Sequence, residues 1–118
     1  MSDYTIWHNP KCSTSRFVLQ ALQDAGADVS VRDYLAQPPT VAELRNALDR
    51  LGMAPRALLR RRNTPYDDLG LGNTALTDDA LIAAMADHPA LIERPVVFGP
   101  KGARLCRPKE TVLDMLAG

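Results

Sequence analysis

The first 34 residues constrain the fold more than any other part of the chain. The apolar start Tyr4-Thr5-Ile6-Trp7 reads as a strand, and Ser13 to Ala25 carries Phe17, Val18, Ala21 and Leu22 at helical spacing before Gly26 closes it. Val29 and Val31, with Tyr34 beyond the polar Arg32 and Asp33, suggest a second strand that Gln37-Pro38-Pro39 ends. A strand, a helix and a strand in so short a span predict a βαβ unit with parallel pairing.

The middle of the chain reads as helices. Thr40-Val41-Ala42-Glu43 has the form of a capping box opening a helix with Leu44, Ala47, Leu48 and Leu51 on one face, stopped by Gly52. Pro55 suits the first turn of a short helix through Leu59, and Tyr66 to Leu71 is expected to add another turn or two. Thr77, followed by Asp78 and Asp79, caps a helix with Leu81, Ile82, Ala84 and Met85 that ends at His88-Pro89. The leucine-rich stripes of these helices read as core. Val96-Val97-Phe98, the turn Gly99-Pro100-Lys101-Gly102 and Ala103-Arg104-Leu105-Cys106 then predict a hairpin, with Pro108 starting a last helix through Leu116.

The resulting fold class is α/β: a mixed sheet built as βαβ then ββα, the layout of a thioredoxin-like fold. A single domain of 118 residues is expected, with its core in residues 1–37 and 90–118 and a helical insertion at about 38–89. Such a length buries about two-thirds of the surface exposed by the unfolded chain, enough for one core.

Charge narrows the function. With 14 basic and 14 acidic side chains the formal net charge is zero, which gives no footprint for nucleic acid or an anionic membrane, so any anion site must be local. No run approaches the roughly 18 apolar residues of a spanning helix, and no basic, apolar leader opens the chain. The expected compartment is the cytoplasm. Two cysteines, Cys12 and Cys106, are too few for a disulfide framework or a zinc ligand set, so no metal and no bound cofactor are expected.

Cys12 stands where the first strand gives way to the first helix, within His8-Asn9-Pro10-Lys11-Cys12-Ser13-Thr14-Ser15-Arg16. Unbonded amides of the opening turn would face the sulfur, and their partial positive charge favours thiolate over thiol. His8 would hold that thiolate or simply pack at the strand end; Ser15 would donate to the sulfur or serve as an ordinary start-of-helix residue. Position 15 is where a dithiol motif would carry its second cysteine, so the reductant must come from another molecule. Cys106, in a strand-like run, reads equally as a buried apolar residue.

Taken together, His8-Asn9-Pro10 with Cys12 and Thr14-Ser15-Arg16, the run Arg56-Ala57-Leu58-Leu59-Arg60, the pair Arg94-Pro95 and the segment Arg104-Leu105-Cys106-Arg107-Pro108 resemble the glutaredoxin-coupled arsenate reductase family. The resemblance spans nearly the whole chain. It implies that Cys12 attacks arsenate, that Arg60, Arg94 and Arg107 bind the oxyanion, and that glutathione as co-substrate and glutaredoxin as partner complete reduction to arsenite. It also implies a glutaredoxin-like core and a cis peptide before Pro95. Guanidinium groups suit the task, because each holds two oxygens at once and stays charged at any relevant pH. Taken singly, each arginine would more often be solvated surface, as in the basic run Arg60-Arg61-Arg62. Arg16 matches the motif too, or would only pair with a helix acid.

Two other readings remain open on these residues. One is a regulatory protein like the Spx regulators, which share the fold and contact RNA polymerase; these usually carry a cysteine pair at this turn, where the present chain has Cys12 and Ser15. The other is a glutathione-dependent thiol reductase with a different substrate, which keeps the cysteine but leaves three arginines unexplained.

Overall fold

A computed structural model of the chain describes residues 3–117. The elements follow in the order β1 (Tyr4–His8), α1 (Ser13–Asp24), β2 (Val29–Asp33), α2 (Val41–Leu51), α3 (Pro55–Leu58), α4 (Asp78–Asp87), a 3-10 turn at Pro89–Leu91, β3 (Val96–Gly99), β4 (Gly102–Leu105) and α5 (Thr111–Leu116). They group into two compact units: the residues up to Gln37 with those from Arg94 onward, and the intervening Pro38–Glu93.

The first unit is a four-stranded mixed sheet in the order β2-β1-β3-β4, the βαβ then ββα pattern of a thioredoxin-like fold. β1 is bonded on both edges, parallel to β2 (Ile6 opposite Val31) and antiparallel to β3 (Ile6 opposite Val97). Alternation along β1 divides its side chains between two faces. Ile6 and Val97 pack with Val18 and Leu22 of α1, Cys106, and Val112 of α5, all fully buried. On the opposite face Trp7 meets Phe98 edge to face, with ring centroids 5.1 Å apart, and the Arg32 guanidinium lies 5.9 Å over the indole. Val31, half exposed, marks β2 as an edge strand, which explains its polar Ser30 and Arg32.

The second unit is helical. Thr40 Oγ1 accepts the Glu43 N–H at 3.1 Å while Glu43 Oε1 accepts the Thr40 N–H at 3.0 Å, completing the reciprocal cap predicted for α2. Leu44, Ala47 and Leu48 of α2 are buried within this unit, as are Leu81, Ile82 and Met85 of α4. Gly52 ends α2 with φ 68°, a left-handed conformation that glycine takes without steric cost. A short bridge ties the unit's ends: the Arg60 N–H donates to Leu91 O at 2.7 Å and the Glu93 N–H to Leu58 O at 2.8 Å.

Two predicted helices differ. Tyr66 to Leu71 forms hydrogen-bonded turns instead of helix, because Arg56 reaches across to the Leu71 carbonyl at 2.9 Å and the Asn73 carbonyl at 3.2 Å and holds this stretch by side-chain bonds. The last helix begins at Thr111, not Pro108, whose carbonyl instead accepts the Thr111 N–H at 3.0 Å. Among the described residues no helix is long and apolar enough to cross a membrane.

Replacing Thr40 by Ala removes a cap whose loss costs about 1 kcal/mol. Urea unfolding of Thr40→Ala is expected to show a lowered midpoint with unchanged slope; an unchanged midpoint would mean the box contributes nothing to stability.

Candidate functional site

Cys12 is the N-cap of α1, extended at φ −96° and ψ 122°, on the loop that leaves the buried end of β1. The loop is held by its own polar groups. Asn9, itself buried, accepts the Cys12 N–H at 3.0 Å through its carbonyl and the Lys11 N–H at 3.0 Å through Oδ1. Its own N–H donates to Ser15 Oγ at 3.0 Å, and the Ser15 hydroxyl lies 2.6 Å from His8 Nδ1. The Ser15 oxygen thus bridges the Asn9 amide and the His8 ring. Asn9 is the residue that motif reading gave no role; the Asn-Pro turn signal was the clue to it.

Ser15 acts on the sulfur through its backbone amide, while its side-chain oxygen bonds His8 and Asn9, and His8 makes no bond to Cys12 among the described residues. Burial lowers the His8 pKa, with Asp33 opposing and Arg16 adding to the effect. Arg16 bonds the Pro10 carbonyl at 2.9 Å, where a helix acid was expected as its partner.

Burial pushes the Cys12 thiol up, but the Ser15 backbone amide, then the Arg94 guanidinium, then Arg107 outweigh it, and the thiol settles at about 7 against an ordinary 9.0. Of the opening-turn amides, that of Ser15 acts on the sulfur, while the Arg16 N–H is taken by the Cys12 carbonyl at 3.0 Å. Arg107 donates from Nη1 to Cys12 Sγ at 3.9 Å and to the Arg94 carbonyl at 3.0 Å, so its guanidinium joins the hairpin's end to the cysteine loop. Both arginines stand at cis peptides, Arg94-Pro95 and Arg107-Pro108; the second was not foreseen.

Arg60 lies in the helical unit. Its Nη1 forms an ion pair with Glu93 Oε1 at 2.9 Å and its Nε donates to Arg62 O at 3.1 Å, leaving Nη2 without a bond among the described residues. The pair is nearly buried, unlike the exposed Arg61–Asp67 pair beside it, so the arginine run is not uniformly surface. Cys106 sits fully buried in the sheet unit's core, 3.9 Å from Met115 Sδ, and burial pushes its thiol to about 12. No cluster of three or more His, Cys, Asp or Glu side chains fit to hold a metal occurs among the described residues.

A mixed sheet whose central strand leads to a cysteine at a helix start, beside two guanidinium groups, defines a thioredoxin-fold protein with one thiol of lowered pKa. The ArsC family profile matches residues 7–115, and the chain belongs to the ArsC family. It is 47% identical over 116 residues to the arsenate reductase of Escherichia coli K12, a match covering 98% of this chain and 82% of that one. It is 42% identical over 117 residues to the arsenate reductase of Neisseria meningitidis, covering 98% and 100%. The solved arsenate reductase structure from Vibrio cholerae superposes with a TM-score of 0.91 at 46% identity, over 96% of this chain and 97% of that one.

Two predictions separate the supports of the thiol. Alkylation by iodoacetamide, which follows the thiolate, is expected to titrate with a midpoint near 7 at Cys12 and to leave Cys106 unmodified in the folded protein. Because folding lowers this pKa, its contribution to stability is full above the unfolded thiol's 9.0 and is lost as pH falls through about 7. A midpoint near 9 would refute the electrostatic support. Ser15→Ala removes the buried hydroxyl shared by His8 and Asn9 but keeps the amide. It is expected to lower stability by about 1–3 kcal/mol while the alkylation midpoint stays near that of the native chain; a midpoint moved toward 9 would assign the support to the hydroxyl.

Proposed function

We propose that the protein reduces arsenate to arsenite with glutathione and glutaredoxin, through a nucleophilic Cys12 thiolate. The observation that carries this reading is the Cys12 sulfur, with a thiol pKa of about 7, within 3.9 Å of the Arg107 guanidinium and under the influence of Arg94. The relatives named arsenate reductases, matched over nearly the whole chain, supply the substrate.

The chemistry follows from charge. Arsenate at neutral pH is an anion and so is the nucleophile, so their repulsion must be offset before they meet. Arg94 and Arg107 offset it while orienting the tetrahedral oxygens. Attack forms a sulfur–arsenic bond and expels an oxygen as water. Glutathione adds a second sulfur to arsenic, displacing another oxygen as water. The two thiols then supply the electron pair that takes arsenic from the +5 to the +3 state, and end as a Cys12–glutathione disulfide with arsenite released. A glutaredoxin thiolate attacks the glutathione sulfur of that disulfide, returning Cys12 as thiolate. With serine at position 15, the second thiol comes from outside the loop.

Arg60 is assigned to the oxyanion on the family resemblance, its side chain held within the helical unit by the ion pair with Glu93. The reaction takes place in the cytoplasm, where glutathione keeps thiols reduced.

Arsenite production from arsenate, glutathione and glutaredoxin is expected from the native chain and not from Cys12→Ser. Arg107→Ala and Arg94→Ala are each expected to lower kcat/KM for arsenate by about 10- to 100-fold, the worth of one charge-assisted bond. Arsenite formed by Cys12→Ser would overturn the nucleophile, and its absence from the folded native chain would overturn the activity.

A further inference from the structure

The surface around the thiol is cationic in a way the neutral chain as a whole is not. Between Tyr4 and Gln23 there is no acidic residue, while Lys11 and Arg16 flank the cysteine in sequence. From the other side of the sheet unit, Arg107 reaches the sulfur and Lys109 follows two residues later. The Lys109 ammonium sits 4.7 Å over the ring of Phe17, on the second turn of α1, and Phe17 is itself 39% exposed. An ammonium over an aromatic face is a preoriented cation, and among the described residues Lys109 forms no ion pair with a carboxylate. Lys11 is also exposed, with its backbone pinned to Asn9 and its side chain outside that network.

None of these three side chains has a part in activating sulfur or holding arsenate. Their placement suits a ligand that must bring its own sulfur to Cys12 while carrying negative charge at its ends. Glutathione is such a ligand, a peptide thiol with a carboxylate at each end. Phe17 lies five residues up α1 from Cys12, about 7.5 Å along the axis at 1.5 Å per residue. The sulfur of glutathione stands on the middle residue, one to two residue lengths of about 3.5 Å from each end, so with that sulfur at Cys12 the carboxylates extend to either side, toward cations that flank the cysteine.

We propose that Lys109, positioned by the face of Phe17, and Lys11 form a recognition surface for the carboxylates of glutathione beside Cys12, and that they set the site's preference for an acidic thiol over a neutral one. This rests on the reading of glutathione as co-substrate. It adds to that reading the residues that would select it.

The test uses thiol-disulfide exchange and no arsenate. Cys12 thiolate attacks glutathione disulfide, a Cys12–glutathione bond forms, the original S–S bond breaks and one glutathione thiolate leaves; bis(2-hydroxyethyl) disulfide undergoes the same exchange without carboxylates. Each rate is divided by that of iodoacetamide alkylation, which corrects for any change in the thiolate. In the native chain the ratio of acidic to neutral disulfide rates is expected to fall as salt rises. Lys109→Gln and Lys11→Gln are each expected to lower the ratio by about two- to fivefold, and the double variant is expected to lower it further and to lose the salt dependence. Phe17→Leu, which keeps an apolar side chain but removes the ring face, is expected to lower the ratio part of the way. An unchanged ratio in the double variant, or equal slowing with both disulfides, would overturn the proposal. Because arsenate is absent, failure of the arsenate assay leaves this ratio intact, whereas an unchanged ratio beside normal arsenite production would overturn the recognition surface alone.

Discussion

A strand hydrogen-bonded on both edges runs into the short loop that carries Cys12, and the rest of the sheet unit depends on that. β1 carries Ile6 into the core on one face and Trp7 against Phe98 on the other, so neither slip nor twist is available to it. Its last residue, His8, is therefore fixed, and through Ser15 it fixes the first turn of α1. Asn9 closes the intervening loop by three bonds. The sulfur is placed by buried bonds that do not touch it, and the groups that act on its charge, an amide and two guanidinium groups, meet it in a position already set. Activation and positioning are thus assigned to different atoms, at Ser15 even to different atoms of one residue.

The arginines arrive by another route. Arg94 leads into β3 and Arg107 follows β4, so the hairpin β3–β4 sets the separation between them. Arg107 bonds the Arg94 carbonyl as well as the Cys12 sulfur, which makes the hairpin's open end a rigid bracket facing the helix start. Arg60 differs in that its charge is shared with Glu93 in a nearly buried pair, where the carboxylate orients the guanidinium and also offsets part of its charge.

Periodicity and punctuation were enough to read most of the fold. The βαβ start, the capping box at Thr40 and the hairpin at Gly99 to Gly102 are local signals, and each element formed where its own residues asked for it. The misreadings lie where long-range bonds outweigh local preference, as at Tyr66 to Leu71, which Arg56 holds as turns. At the site, the cysteine and its exposure to helix amides were legible because spacing alone carries them. The direction of the Ser15 hydroxyl was not, because it depends on a partner seven residues earlier at a strand end. Nor was the burial of the Arg60–Glu93 pair, which joins residues 33 positions apart. The role of Cys106 became plain only with its place in the core beside Met115.

The contrast between the two cysteines has a further consequence. With thiols at about 7 and about 12, their anionic fractions at neutral pH differ by a factor on the order of ten thousand or more. One chain therefore presents one readily ionised sulfur, while the other is enclosed by Ile6, Val97 and Val112. A disulfide between the two would require the core to open, so in the folded state a partner sulfur for Cys12 has to come from another molecule.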